Sequence, residues 1–268
     1  KNNGRQIGIA IHAYHDAFGM FPPGVLNSCM IAPTNYTGGV KNTPGWALLL
    51  PYLEQRALSE RLNFSYCFSL AYFPPVTALV DLVGPPGAPD SINAPFVATR
   101  VGVLECPSAT TLGQKYTNAS GMEQTRTPSQ GIYRTNWFFS GGYFDEASRP
   151  FANNAGDIRQ GMFGAQQSAT LAQVSDGSSN SLACGEGVGG SGKKVKDWFG
   201  PFALAGNHTY AFGRVDSNNA APPIAFDWTQ TSTWAINSHT NYSGMPASIH
   251  PGNYAWAFNS DHPGGANF

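Results

Sequence analysis

The stretch "KNNGRQIGIAIHAYHDAFGMFPPG", residues 1–24, decides how the chain begins to fold. Four apolar side chains recur in it at spacings of four, three and four, which is one stripe of a 3.6-residue helical repeat. They are Ile7, Ile11, Tyr14 and Phe18. The pattern predicts a helix over residues 1–18, because Gly19 can supply a left-handed C-cap and the following prolines cannot continue a helix.

No capping residue marks the start of this helix. Lys1 is a poor N-cap, because its side chain has no oxygen to accept bonds from the first free N–H groups. We therefore expect the helix to extend upstream of Lys1 in the protein from which this sequence comes.

The composition is poor in charge and rich in turn residues. Of 268 residues, 12% are charged, against about 25% in typical soluble domains. The 31 glycines and 20 prolines favour many short strands over long helices. The net charge of -1 and the lack of a basic patch argue against a nucleic-acid partner. No apolar run of about 18 residues, the length that spans a membrane, is present in the sequence.

The rest of the pattern predicts an α+β fold, in which the first helix packs on a mostly antiparallel β region. A second short helix is predicted over Pro51–Leu62, since proline suits the first helical position. Its buried side would be Leu53, Ala57, Leu58 and Leu62. Short apolar runs between turn residues predict strands at Val101–Leu104, Ile132–Phe139, Gly161–Phe163, Ser181–Cys184, Trp198–Leu204 and Tyr254–Phe258. We expect one domain, 1–268, made of the helix (1–18), a loop with the second helix (19–70) and a β-rich head (71–268).

Four cysteines indicate either two disulfides or four buried thiols. None has the C-x-x-C spacing of a zinc or redox motif. The even count in a charge-poor chain favours disulfides formed in an oxidising compartment. We predict Cys29–Cys67, which would tie the loop after the first helix to the end of the second. We also predict Cys106–Cys184, which would join two predicted strand segments.

No motif in the sequence predicts catalysis or a cofactor. Gly187–Lys194, "GVGGSGKK", nearly spells a phosphate-binding loop, but Lys194 stands where a Mg²⁺-binding hydroxyl is needed. His12, His15 and Asp16 could share one region of the first helix, without the spacing of a metalloprotease motif. We therefore predict no catalytic residue, no metal ligand and no cofactor.

Seven blocks, in order along the chain, resemble a large bacterial family of prepilin-like proteins known for a C-terminal His-x9-Asp-Gly motif. Members of that family typically have leucine where this chain has Gly4. The blocks are residues 1–24, Gly45–Leu58, "LECPS" (Leu104–Ser108), "TNWFFSGG" (Thr135–Gly142), Gly161–Phe163, "VSDGSSNSLACGE" (Val174–Glu186) and "FNSDHPGGANF" (Phe258–Phe268).

The resemblance implies a structural subunit of an extracellular or cell-surface filament, of the pilin or pseudopilin kind, and not an enzyme. A leader and an apolar membrane helix would precede Lys1, so that contact with the membrane would run only through that upstream helix. The partners would be other copies of the chain and other pilin-like subunits.

The resemblance also gives roles to both ends of the chain. Ile7, Ile11, Tyr14 and Phe18 would be shared between the protein's own head and neighbouring subunits, with residues 1–8 projecting most. His262 would begin the His-x9-Asp-Gly motif, of which the Asp-Gly pair would follow Phe268. We expect Pro263, Gly264 and Gly265 to form a tight turn, and His262 to be structural, bonding to the main chain near that turn.

Two other functions stay open at the level of sequence. One is an extracellular carbohydrate-binding module, in which Trp228, Trp234 and Trp256 would stack on sugar rings. The other is a secreted hydrolase, which no motif supports. An observed polymer would favour the filament subunit over both.

Overall fold

A computed structural model of the chain shows an α+β fold with one long helix, several short helical turns and two small sheets. The structure describes residues 2–28, 39–69, 92–116, 131–142, 150–154, 156–157, 160–188, 201–204, 212–214, 258, 260–262 and 266–268.

The first helix, α1, spans Asn2–Phe18 and confirms the helix predicted for this stretch. Its end is also as predicted: Gly19 has a φ of +72°, and its N–H donates to the carbonyl of His15 at 2.7 Å. Three members of the predicted apolar stripe, and one alanine beside it, are buried. They are Ile7, Ala10, Ile11 and Tyr14.

The predicted second helix is wrong in its bounds, because the segment is broken into short pieces. Helix α2 spans Gly45–Leu49, a 3₁₀ turn spans Leu50–Leu53, and α3 spans Arg56–Ser59. Glu54 lies between the last two with a φ of 60°, a left-handed conformation that cannot continue a right-handed helix. Of the side predicted to be buried, three leucines are buried and Ala57 is exposed.

The strands of the described residues form two small sheets. In the first, β1 (Val25–Leu26) pairs antiparallel with β2 (Thr43–Pro44). In the second, β3 (Trp137–Gly142) lies between β4 (Cys184–Glu186), which is antiparallel to it, and β5 (Phe212–Arg214), which is parallel. The remaining turns are helix α4 and three 3₁₀ turns, at Ala94–Val97, Gly102–Leu104, Phe151–Asn154 and Leu171–Gln173.

The predicted strands are only partly correct. Two of the apolar runs, 132–139 and 181–184, overlap β3 and β4. The run 101–104 is wrong, since it folds as a 3₁₀ turn, and 161–163 makes only isolated bridges near its ends. The prediction for the run 198–204 is wrong over its described part, since residues 201–204 form no strand. Of the run 254–258, only Phe258 is described.

A stack of aromatic rings joins the helical part to the larger sheet. Trp46 of α2 lies on Phe139 of β3 with ring centroids 4.0 Å apart, and Phe139 lies on Phe163 at 4.5 Å. All three rings belong to the same buried cluster as Ile7 and Ile11 of α1. The helix therefore shares one hydrophobic core with the sheet.

Gly4 of α1 packs against Trp137 of β3. A Cβ added at Gly4 would lie 2.9 Å from Cη2 of Trp137, and Trp137 is itself buried. The absence of a side chain at Gly4 thus leaves room for the indole ring.

Along the described part of the chain, none of the helices combines the length and the apolar character needed to cross a membrane.

Alanine should stabilise the protein at Gly8 of α1 but not at Gly4. Glycine inside a helix costs about 1 kcal/mol relative to alanine. At Gly8 an added Cβ would meet no described atom within 4 Å, so we expect Gly8→Ala to raise the free energy of unfolding by roughly 0.5–1 kcal/mol. Gly4→Ala should give no such gain, because its methyl group must displace Trp137. Denaturant titration of both variants measures this, and an equal gain at both positions would show that Trp137 does not constrain Gly4.

Candidate functional site

Four of the seven blocks meet at one place in the structure. They are the loop that begins at Leu104, the start of β3, the end of β4, and the last residues of the chain. Their meeting point is a cluster of three side chains with metal-binding or nucleophilic chemistry, Cys106, Glu186 and His262, whose donor atoms all lie within 4.8 Å of one another. We refer to these three residues as the Cys–Glu–His cluster.

Cys106 lies in a loop that is fixed by hydrogen bonds to the side chain of the preceding residue, Glu105. Glu105 is buried and accepts two bonds from the half-exposed Arg100 guanidinium, 2.8 Å from Nε to Oε1 and 2.9 Å from Nη2 to Oε2. The N–H of Gly113 donates to the same carboxylate at 3.1 Å. The Cys106 thiol then lies 3.3 Å from the hydroxyl oxygen of Ser108.

Asn136 connects this loop to both neighbouring strands. Its side-chain oxygen accepts a 2.7 Å bond from the N–H of Cys106. Its side-chain nitrogen donates to the carbonyl of Gly187 and to the hydroxyl of Thr111, each at 3.3 Å. Its main chain is bonded on both sides, to Leu104 and to Gly187. A buried amide at the start of β3 therefore fixes the position of Cys106 relative to the end of β4.

Two glycines flank Glu186, and aromatic rings pack closely against both of them. A Cβ at Gly185 would lie 2.6 Å from Cδ1 of Phe258, and a Cβ at Gly187 would overlap the ring of Phe138. The N–H of Glu186 donates to the carbonyl of Asn267 at 2.9 Å. In return, the main-chain and side-chain nitrogens of Asn267 donate to the two carboxylate oxygens at 3.0 and 2.8 Å.

His262 is brought to Glu186 by the C-terminal segment. Asp261 accepts two bonds from Thr110, one from its N–H at 2.7 Å and one from its hydroxyl at 2.9 Å, which fastens this segment to the Cys106 loop. The Nε2 atom of His262 lies 3.3 Å from Oε1 of Glu186 and 3.5 Å from Sγ of Cys106. The same ring nitrogen thus faces both the carboxylate and the thiol.

The carboxylate of Glu186 stays ionised despite its burial. Its side chain is only 4% exposed, and burial alone would raise the pKa. Hydrogen bonds from Asn267 and Ser260, together with the charge of His262, outweigh burial and lower the pKa of Glu186. The His262 side chain is 37% exposed, so solvent reaches the cluster from that side.

This arrangement does not have the geometry of a nucleophile relay. In such a relay, one ring nitrogen of the histidine takes the proton of the nucleophile while the other is held by the carboxylate. Here Cys106 and Glu186 both face Nε2. Three donor atoms within 4.8 Å of one another are instead close enough to share one ligand.

Comparison with known proteins gives one match. The whole chain, residues 1–268, matches the family described as "Protein of unknown function (DUF1559)". The chain belongs to this family. No curated protein and no solved structure matches this DUF1559 member.

The Cys–Glu–His cluster is not among the sites predicted from the sequence. Each of its residues lies in a quoted block, but 76 residues separate Glu186 from His262 and 156 separate Cys106 from it. Their only shared signal in the sequence is that each is a potential metal ligand within a block that carries the resemblance.

The prediction that His262 bonds to the main chain near the turn is wrong for its ring atom Nε2. That atom lies against the side chains of Glu186 and Cys106, not against the main chain of a nearby turn. The residue's own N–H does make a local bond, to the hydroxyl of Ser260 at 3.0 Å. Pro263, Gly264 and Gly265 lie outside the described residues, so the turn expected there stays a prediction.

The predicted Cys106–Cys184 disulfide is wrong in this structure, where both residues are free thiols. The two sulfurs occupy different surroundings: Cys184 is part of the hydrophobic core, while Cys106 faces Ser108 and His262. Cys67 is buried, and its predicted partner Cys29 lies outside the described residues, so that pair stays a prediction.

The predicted assembly residues separate into two groups. Ile7 is 0% exposed and packs in the protein's own core with Ile11 and Tyr14. The expectation that the start of the helix projects is therefore wrong for Ile7, because Trp137 and the core cover that side. Phe18 is 59% exposed, although its ring also packs on Tyr14 with centroids 4.4 Å apart.

The other candidates do not form a site among the described residues. On α1, Nε2 of His15 accepts a bond from the N–H of Leu171, and His12 packs edge-on against Phe21. Three tryptophans and the glycine-rich near-match lie outside or largely outside the described residues: Trp228, Trp234, Trp256 and the segment 187–194.

Removal of the Asn136 side chain should destabilise the protein and loosen the cluster. Asn136→Ala leaves the buried N–H of Cys106 without its acceptor, and a lost buried partner costs about 1–3 kcal/mol. We expect a loss of roughly 2–4 kcal/mol in the free energy of unfolding, since several bonds go together. The exposed Asn180, which donates to the carbonyl of Asp176, is the matched control. An equally small loss for Asn136→Ala and Asn180→Ala would contradict this role.

Alkylation distinguishes free thiols from the disulfide first expected. Burial raises the pKa of Cys184 to about 12, and only the thiolate reacts. We therefore expect Cys184 to resist iodoacetamide in the folded protein near neutral pH. After unfolding without reductant, both Cys106 and Cys184 should be labelled. Peptide mass spectrometry measures this, and a linked Cys106–Cys184 peptide would show that the disulfide forms after all.

Proposed function

We propose that this DUF1559 member is a structural subunit of an extracellular or cell-surface filament, and that it assembles through the outer side of α1. The resemblance of the seven blocks to prepilin-like proteins supports this proposal. The observation that carries it is an exposed isoleucine on the outer side of the helix: Ile9 is 58% exposed, while the inner side is covered by the protein's own core.

The outer side of α1 has a mixed apolar and charged character. Residues at spacings of three and four form an exposed stripe along it: Asn2, Arg5, Ile9, His12 and Asp16. Arg5 and Asp16 carry opposite charges near opposite ends of the stripe, with Ile9 between them. Burial of the Ile9 side chain against a partner would contribute about 1.5–3 kcal/mol.

This charge pattern fits a second copy of the same helix. Arg5 and Asp16 are eleven residues apart, which at 1.5 Å per residue corresponds to an axial distance of roughly 16 Å. Two parallel copies offset by that distance would place Arg5 of one beside Asp16 of the next. The same offset would bring Ile9 to the level of Phe18 and Met20, two further exposed apolar side chains.

A parallel offset contact of this kind does not close on itself. Different surfaces of the two copies meet in it, and repetition produces a ring or an open filament. An antiparallel pair would also match Arg5 with Asp16, but it would use one surface twice and stop at a dimer. The filament is therefore the assembly that the resemblance and the parallel contact favour together.

Under the same proposal the protein is not an enzyme. Its location is outside the cell or on the cell surface. The tryptophans of the carbohydrate-binding alternative lie outside the described residues, and no sequence motif supports a hydrolase. Pilin-like and type II secretion-related subunits also assemble with related subunits, so we propose copies of this chain first and other pilin-like proteins second as partners.

A charge at Ile9 tests the assembly surface. We expect Ile9→Asp to abolish fibres seen by electron microscopy of cells that produce the full-length protein, because a charge in a dry helix contact is costly. The melting temperature should change little, as for most surface substitutions, which stay within about 0.5 kcal/mol. Leu112→Asp, at an exposed leucine outside α1, is the matched control and should leave fibres intact.

The buried residue of the same helix should respond differently. Ile7→Asp places an unpaired charge in the core, so we expect loss of the folded protein itself, not of assembly alone. If Ile9→Asp formed fibres as the parent does, or if the parent formed only closed dimers in sedimentation, the proposed assembly through α1 would be wrong.

A further inference from the structure

We propose that the Cys–Glu–His cluster is a binding site for a single zinc ion, held by Sγ of Cys106, one carboxylate oxygen of Glu186 and Nε2 of His262. This inference is independent of the filament, since it depends on the interior of the head and not on α1. It departs from the sequence prediction that the chain has no metal ligand.

The separations between the donor atoms match those around a tetrahedral zinc ion. Bonds of about 2.3 Å to sulfur and 2.0–2.2 Å to nitrogen and oxygen give ligand-to-ligand distances of about 3.3–3.7 Å. Nε2 lies 3.3 Å from Oε1 of Glu186 and 3.5 Å from Sγ of Cys106. The remaining pair, sulfur and carboxylate, is within 4.8 Å, so a small movement of the Cys106 side chain completes the triangle.

The chemical types of the donors favour zinc over harder cations. A thiolate, an imidazole and a carboxylate form the mixed sulfur, nitrogen and oxygen set that zinc accepts, whereas Mg²⁺ and Ca²⁺ prefer oxygen alone. Zinc would bind the Cys106 thiolate and the neutral imidazole of His262, so binding would release the thiol proton to solvent. A carboxylate oxygen has two lone pairs, so Oε1 of Glu186 can bind the ion and still accept the bond from Asn267.

The site is preorganised in the way that metal sites require. Glu186 and Cys106 are buried, and their supports come from Asn267, Asn136 and Ser108 through the bonds already described. Groups that orient the ligands are a regular part of protein metal sites. His262 is partly exposed, which leaves an entry path and a fourth position for water.

An ion at this point would join three parts of the chain that are distant in sequence. The Cys106 loop, β4 and the C-terminal segment already touch through Thr110–Asp261 and Glu186–Asn267. Zinc would add a bond from each part to one centre, and a ligand that binds only the folded state stabilises it. We therefore expect zinc to stabilise the attachment of the C-terminal segment to β4.

Cobalt and zinc titrations of the full chain test the proposal. Co²⁺ should bind with one ion per chain and give the charge-transfer absorption of a thiolate ligand, which Zn²⁺ should then displace. The melting temperature should rise when zinc is added and return when a chelator removes it. His262→Gln should weaken zinc binding at least tenfold while the protein stays folded, since this side chain is partly exposed.

Matched variants separate this cluster from adventitious binding. His12→Gln removes an exposed histidine of α1 and should leave the affinity unchanged, while Cys106→Ser should remove the thiolate absorption. Zinc should also protect Cys106 from iodoacetamide in the parent but not in His262→Gln. Loss of the parent's affinity in His12→Gln, cobalt binding without a thiolate band, or no binding in the parent would each overturn the proposal.

Discussion

One side of α1 is buried in the hydrophobic core of the head, and this burial holds the helix and the larger sheet together. Ile7, Ile11 and Tyr14 lie in the same hydrophobic cluster as the rings of Trp46 and Phe139, and each fully buried side chain of this size contributes about 1.5–3 kcal/mol. The helix is therefore an integral part of the head's core. This leaves only its outer side for contacts with other molecules, which is why the proposed assembly surface contains Ile9 and not Ile7.

A second constraint comes from the buried carboxylate of Glu186. An ionised carboxylate with few partners would be costly in this position, and the chain meets that cost with Asn267, Ser260 and His262. These partners all come from the C-terminal segment, so the charge at the end of β4 determines where the last residues dock. The glycines on either side of Glu186 allow aromatic rings to cover that docking point.

The sequence predicted the parts of the fold that local patterns determine. The α1 helix and its glycine stop follow from spacing and backbone preference, and they are confirmed. The segment from Pro51 to Leu62 has helical spacing too, yet Glu54 adopts a left-handed conformation that interrupts it. The Cys–Glu–His cluster could not be predicted from spacing, because its geometry arises from contacts such as Asn136 with Cys106 and Thr110 with Asp261. Such contacts join residues 30 or more positions apart.

The two proposals meet at the chemistry of Cys106. The Cys106 thiol lies 3.5 Å from the imidazole of His262, and a free thiol is subject to oxidation in an oxidising compartment. Its expected disulfide partner, Cys184, lies instead in the hydrophobic core. A bound zinc ion would hold Cys106 as a thiolate that is not available to oxidants, with Glu186 and His262 as the other ligands. A metal at this cluster would thus reconcile an extracellular location with the absence of a bond between these two cysteines.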